Sequence, residues 1–271
     1  HKVSLSTYQV FLEIVERGTF AAAAHQLKLS PSAISHSLAS LEDELGFSLF
    51  IRGKNRIKLS KGGESILPAV RAVISAHQSV LHQSSQLVGL TVGSVSIGAF
   101  NSVCAGLLPT IIKSFSLKYP SVSVSVEQGG VEDIYSWIAS GKVDIGFLLP
   151  PLAPGIECNE VFQDRWVCVS PKDYFGQKKS IEVHDLSEEK LISQRSDYGW
   201  NIKLLLERHG VNVQSTMGAI DAASIIALVE GGLGLAILPE LALKRYSGEF
   251  DVLAFEPPEV RSIYLAASKF D

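Results

Sequence analysis

Apolar residues recur at helical spacing through the first third of the chain and give way to strand-like runs after it. Ile34, Leu38, Leu41 and Leu45 fall on one stripe and predict a helix from Pro31 to about Leu45. The opposite face carries Ser32, Ser35, His36 and Ser40, all polar and none acidic. Ser30 is placed to cap this helix, with Pro31 at its first position, where a missing N–H costs nothing. Before it, Thr19 can cap a helix over Phe20 to Leu27, whose alanines allow a close helix crossing. Gly46 ends the Pro31 helix. Phe47 to Ile51 then starts a strand, and Ile57 and Leu59 alternate with Arg56 and Lys58 as its hairpin partner would. From Glu64 to about Gln86, Ile66, Val70, Val73, His77, Val80 and Leu87 keep a near-heptad stripe around Pro68.

From residue 91 the pattern alternates strand and helix, which indicates an α/β body. Strands are expected over Ser94–Phe100, Val122–Glu127, Val143–Leu149, Val161–Ser170, Lys190–Ser193 and Asn212–Met217. Helices are expected over Ser102–Tyr119, Glu132–Ser140, Trp200–His209 and Ser224–Glu230. Gly231, Gly232 and Gly234 resemble part of a phosphate loop, but they precede a strand and read better as a turn.

Charge sharpens this division. The 271 residues carry a net charge of −4, yet residues 1–90 hold 9 Lys and Arg against 6 Asp and Glu, a net of +3. The remainder holds 15 against 22, a net of −7. A basic head on an acidic body is the asymmetry of a DNA-binding domain joined to something that does not bind DNA. Five of the ten residues from Arg52 to Lys61 are basic and none is acidic, so the hairpin is a wing suited to phosphate. No apolar run is long enough for a membrane span. No secretory signal is expected, and three cysteines are too few for a disulfide framework or a zinc site; both suit a reducing cytoplasm.

At these residues the chain resembles the LysR-type transcriptional regulators. The carrying motifs are Gly18-Thr19-Phe20, Ala23-Ala24, Ser30-Pro31-Ser32-Ala33-Ile34-Ser35, Leu41-Glu42 to Gly46, Leu49-Phe50, Arg52, and Leu59-Ser60 to Gly63. A common family variant has Gln-Pro where this chain has Pro31-Ser32, so contacts made by that glutamine do not carry over. The resemblance implies a winged helix-turn-helix domain over 1–63, a linker and dimerisation helix with hinge over 64–90, and an effector-binding body over 91–271. It implies that Ser32, Ser35 and His36 face the groove and that Arg52 approaches DNA. With Ser30, Lys54 and Arg56 these make the expected contact set for a pseudo-palindromic double-stranded site. It also implies a homodimer or tetramer.

The body's element order resembles the type 2 periplasmic-binding-protein fold, two α/β lobes around a cleft. Lobe one would hold 91–150 plus about 252–268, and lobe two about 156–250. Ligands bind such folds at the carboxyl ends of strands. That selects Phe100, Asn101, Ser102, Gln128, Gly129, Gly130, Leu149, Gln194, Arg195 and Ser196 for a small-molecule effector. Arg195 makes an anion a candidate, and a surface pairing with Asp197 is the competing reading. Gly130 stands where relatives place a hydroxyl, which would widen the cleft. Cys104, early in a helix, is a candidate redox switch if the helix dipole lowers its pKa; a small buried cysteine is the plainer alternative. No nucleophile elbow, metal cluster or paired carboxylates suggest an enzyme, and no cofactor is expected. A solute-binding protein without regulatory function is the remaining alternative, and the basic head counts against it.

Overall fold

The computed structural model describes residues 3–52, 57–87, 93–194, 200–213, 217–219 and 221–267. The chain divides into two units, 1–93 with 139–144 and 268–271, and 94–138 with 145–267.

The first unit contains α1 (Leu5–Arg17), α2 (Phe20–Leu27), α3 (Pro31–Leu45), β1 (Phe50–Arg52), β2 (Ile57–Leu59) and α4 (Lys61–Leu87). Each boundary has a local cause. Gly18 ends α1 at φ 71°, a left-handed conformation that glycine adopts without strain. Thr19 Oγ1 accepts the Ala22 N–H at 3.1 Å and Ser30 Oγ the Ala33 N–H at 3.1 Å, as N-caps do. Val10, Phe11, Ile14, Ala23, Ala24, Ile34, Leu38, Leu41, Leu49 and Phe50 form one core. Helix α4 starts three residues earlier than its apolar stripe suggests. Ser60 explains this: its hydroxyl donates to Ser48 O at 2.6 Å and accepts the Gly63 N–H at 3.0 Å. A side chain at Gly63 would run into the Leu49 carbonyl, so the strand and helix meet there backbone to backbone.

The second unit runs β3 (Gly93–Ala99), α5 (Asn101–Gly106), α6 (Leu108–Lys118), β4 (Val122–Gln128), α7 (Val131–Ala139), β5 (Ile145–Leu148) and β6 (Cys158–Pro171). It continues with β7 (Ser180–Ile181), a 3-10 turn (Val183–Leu186), β8 (Ile192–Gln194), α8 (Trp200–Arg208), β9 (Met217–Ala219) and α9 (Ala222–Glu230). It ends with β10 (Ala236–Pro239), α10 (Glu240–Leu243), β11 (Phe250–Phe255) and β12 (Val260–Ala267). Among the described residues the main sheet has the order β4-β3-β5-β12-β6-β11-β7, with β10 also on β6, and β8 pairs β9 separately. The 14-residue β6 serves both lobes. Its residues from Cys158 to Arg165 pair with β12, and those from Trp166 to Pro171 with β10 and β11.

Three sequence expectations need correction. The helix expected over Ser102–Tyr119 is two helices. Pro109 has no N–H to give the Ala105 carbonyl, which instead accepts from Arg245 Nε at 3.2 Å. The chain returns to the first lobe at Val260, not Val252, because β11 pairs in register with Val167 to Pro171. The strand expected over Asn212–Met217 runs from Met217 to Ala219, fixed by parallel pairing of Met217 with Ile192 and Ala219 with Gln194. The glycine run before β10 is a turn: Gly232 has φ 72°, and a side chain at Gly234 would approach Lys190 O to 2.6 Å.

Candidate functional site

In the first unit, helix α3 exposes a polar face. Ile34, Leu38 and Leu41 are buried, while Ser32, Ser35 and His36 on the same helix α3 are exposed. Ser30 is engaged as the cap, and its hydroxyl also lies 2.9 Å from that of Ser32. The wing is tied to this helix by Glu42, whose Oε1 accepts the Leu49 N–H at 2.6 Å. In the wing, Phe50 pairs with Leu59 and Arg52 with Ile57. The Arg52 side chain and residues Lys54 and Arg56 lie outside the described residues. The near-heptad stripe of α4 is split. Val70 belongs to the core of its own unit, with Ile66 and Leu67 packed against it, whereas Val73, Val80 and Leu81 are exposed.

In the second unit a small cavity of about 20 Å³, partly open to solvent, lies at the carboxyl ends of β3, β5, β8 and β10. Phe100, Asn101 and Ser102 line it from the start of α5, Leu149 from the end of β5, and Gln194 from the end of β8. These five were expected. Ala222, Leu238, Pro239 and Ala242 add apolar wall, and Trp166 and Arg261 close it from β6 and β12.

Arg261 dominates the chemistry of this cavity. Its side chain is 8% exposed, and Nε and Nη2 donate to Asp164 Oδ2 at 3.0 and 2.7 Å. Nη2 also donates to Ser102 Oγ at 2.6 Å. The guanidinium carbon sits 5.5 Å from the Phe100 ring centre and 5.1 Å from that of Trp166, within cation–π range. Asp164 Oδ1 accepts the Leu241 N–H at 3.0 Å. Burial pushes the Arg261 pKa down and the Asp164 carboxylate opposes that. The result is a hydrogen-bonded chain from α5 through β12 and β6 to α10. Arg261 and Asp164 escaped the sequence reading because they lie 97 residues apart and meet only through β-register. The available signal was Arg261, the one charged residue of β12.

Other expected site residues fall elsewhere. Gln128 is exposed, a side chain at Gly129 would collide with Trp137, and the Gly130 N–H donates to Asp133 Oδ2 at 2.9 Å. These three do not line the cavity, so a glycine at 130 does not widen it. Arg195, Ser196 and Asp197 lie outside the described residues. Cys104 is half-buried with its Sγ 3.6 Å from Ala99 O, and burial pushes its pKa up, opposite to the lowering a sensing thiolate needs. Burial likewise pushes the Cys168 thiol up to about 12. Cys158 and Cys168 share β6, ten residues and so roughly 33 Å apart along an extended strand, too far for a disulfide. Among the described residues no cluster could hold a metal ion, and no helix is long and apolar enough to cross a membrane.

A helix-turn-helix head with a basic wing, followed by a two-lobed body with a cleft, defines an effector-responsive DNA-binding regulator. Residues 5–64 match the bacterial regulatory helix-turn-helix proteins of the lysR family, and residues 89–270 match the LysR substrate binding domain. The chain belongs to the LysR family of transcriptional regulators. It is 30% identical over 250 residues to the "Probable HTH-type transcriptional regulator LrrA" of Synechococcus elongatus, covering 89% of this chain and 82% of that protein. In structure it is similar to a full-length variant of OxyR from Pseudomonas aeruginosa, with TM-score 0.81, 21% identity and coverage of 100% and 90%. It is also similar to full-length CbnR complexed with its target DNA, with TM-score 0.69, 21% identity and coverage of 98% and 94%.

Proposed function

We propose that α3 reads DNA through Ser32, Ser35 and His36, while Arg52, Lys54 and Arg56 of the wing neutralise phosphate. The observation that carries this is the exposed face of the first turns of α3, with Ser32, Ser35 and His36 set opposite a stripe packed into the core and the exposed acids Asp43 and Glu44 confined to the last turn. One such helix has few base contacts. Two heads, joined through the exposed Val73, Val80 and Leu81 of α4 in a homodimer or tetramer, would read the half-sites of a pseudo-palindrome. Residues 1–63, 64–90 and 91–271 then act as reader, linker and sensor.

The cavity at Phe100, Ser102 and Arg261 is the effector site of this reading. Its lobes already touch, since a side chain at Gly106 of α5 would collide with Leu241 of α10. The effector therefore acts on the Ser102–Arg261–Asp164–Leu241 chain and does not need to close an open cleft, with the DNA response following as a population shift.

Binding to a genomic fragment library at two salt concentrations, with sequencing of retained DNA, tests the reader. Enrichment of a dyad-symmetric sequence is expected, with affinity falling steeply as salt rises. His36→Ala should lose affinity for that sequence while keeping its affinity for random DNA. Equal losses on both would remove His36 from base reading.

A further inference from the structure

Two lobes that share crossing strands can move against each other only by bending at the crossovers and breaking whatever else joins them. Here β6 crosses at Arg165–Trp166, and the chain returns through residues 256–259. Apart from β6, the one pair of elements from different lobes in broad contact among the described residues is α5 with α10. This seam turns on Leu241, which is 1% exposed. The Leu241 N–H, in lobe two, donates to Asp164 Oδ1 of lobe one at 3.0 Å. The rest of Leu241 lies on Gly106 of α5, where a Cβ would meet the Leu241 carbonyl and come within 2.6 Å of Cγ and Cδ1. Gly106 ends α5 with a φ outside the left-handed region, so its backbone does not require glycine, and alanine is the better helix former. Only the close approach of Leu241 calls for glycine there. The exposed Arg245, just after α10, adds a tie by donating from Nε to the Ala105 carbonyl at 3.2 Å. Ser102 of α5 and Ala242 of α10 both line the cavity, so a molecule bound there bears on both halves of the seam.

We propose that the α5–α10 seam is the switch of the sensing body: Leu241 on Gly106 closes it in this structure, parting it is the change that alters DNA binding, and Gly106 and Arg245 set the balance. This rests on the reading of the body as the sensor of a DNA reader. Packed interfaces are bistable and do not deform gradually, so a seam held by one glycine contact and two hydrogen bonds is either seated or parted. A ligand moves that balance by its different affinity for the two states.

Three full-length variants test it. Gly106→Ala wedges the seam without removing a hydrogen-bonding group. Arg245→Met removes the exposed tie and leaves the packing in place, so it reports even where the wedged protein folds poorly. Gly146→Ala, whose Cβ would meet Ile134 and Ile138 inside lobe one, controls for a methyl forced in away from the seam. Each is read by amide hydrogen exchange in peptides covering α5 and α10, and by affinity for the dyad-symmetric site that wild type enriches. In Gly106→Ala, exchange at α10 should speed up by about tenfold and DNA affinity should change by about fivefold or more. Arg245→Met should shift both in the same directions by about threefold, and Gly146→Ala should shift either by less than about twofold. Wild-type exchange at α5 and α10 in Gly106→Ala would show that this contact does not close the seam. Faster exchange with unchanged DNA affinity in both seam variants would show that the seam parts without switching the reader. An equal change of DNA affinity in Gly146→Ala would assign the effect to general destabilisation. Each of these overturns the inference and leaves the DNA reader in place. If wild type enriches no site, the DNA-reading assignment itself falls, and the inference with it.

Discussion

The two units cap their backbones with different chemistry. In the head, Thr19, Ser30 and Ser60 satisfy helix amides with neutral hydroxyls. In the body, Asp164 and Asp221 do so with carboxylates, and Asp133 and Asp185 accept the amide of the residue just before their own helix or 3-10 turn. The head's own carboxylate of this kind, Glu42, is tied to the Leu49 amide instead of a helix start. Hydroxyls and carboxylates cap about equally well, so local stability does not explain the choice. Phosphate does: a unit that binds a polyanion keeps its capping side chains uncharged, and a unit that does not is free to cap with carboxylates. The difference contributes to the +3 and −7 split of net charge. Buried arginine follows the same division. Arg261 gives three N–H bonds to Asp164 and Ser102, whereas Arg71 of α4 has Glu16 Oε1 at 3.6 Å and an Nε without a hydrogen-bond partner among the described residues.

The largest effect should come from breaking the body's pair. Asp164→Ala leaves Arg261 buried without its counter-charge and the Leu241 amide uncapped. A loss of about 3–5 kcal/mol is expected by chemical denaturation. Ser102→Ala removes one neutral acceptor and should cost about 1 kcal/mol. Similar losses in the two variants would mean that Asp164 is not the centre of the network.

Ser30→Asp isolates the capping rule of the head. Asp caps as well as Ser, so stability should stay within about 0.5 kcal/mol of wild type. The new carboxylate stands at the start of the proposed reading helix, and DNA affinity should drop by about tenfold at moderate salt. Unchanged DNA binding would separate α3 from the phosphates and undo the explanation of the neutral caps.

Asp221→Ala removes a carboxylate cap from α9 and should cost about 1 kcal/mol near neutral pH. The hydrogen bonds from Ser224 hold the Asp221 carboxyl below its ordinary value. A depressed carboxyl stabilises the fold fully above its unfolded value of about 3.9 and loses that contribution as pH falls through the folded value. The gap between variant and wild type should therefore shrink below about pH 4. A gap independent of pH would show that the contribution is not the ionised cap. Asp251, held down by Lys172 Nζ at 2.7 Å, adds a similar acid sensitivity to the body.

How much of this was legible follows from sequence distance. The head's caps, stripe and glycine stop lie within one helix length of each other, so local chemistry specifies them and the pattern Ser30-Pro31 to Gly46 reads directly. In the body, Phe100 to Ser102, Leu149 and Gln194 were legible because each simply follows a strand. Arg261 and Asp164 were not, because their meeting depends on the register between β6 and β12, which no local pattern encodes. Gln128 to Gly130 followed the same strand-end rule and failed, since Trp137 and Asp133 of the next helix occupy the space and the amide.

The smallest effect, and the sharpest test of the contrast between the two arginines, is Arg71→Met. Arg71 is 6% exposed, and burial pushes its pKa down against the weaker pull of Glu16. Its methylenes cover apolar surface, which methionine can also do. Its charge is held at 3.6 Å by a glutamate that is itself 38% exposed. Removing the charge relieves the desolvation of the guanidinium and of an unpaired Nε, and it releases Glu16 to a partly solvated position where a lone carboxylate is tolerated. The two changes offset, and stability should shift by less than about 1 kcal/mol in either direction. Arg261→Met, with equal loss of charge, strands Asp164 at 3% exposure and should cost several times more. Equal losses in the two variants, read by the same denaturation curve, would mean that Arg71 is as fully paired as Arg261 and that the units do not differ in how they hold a buried cation.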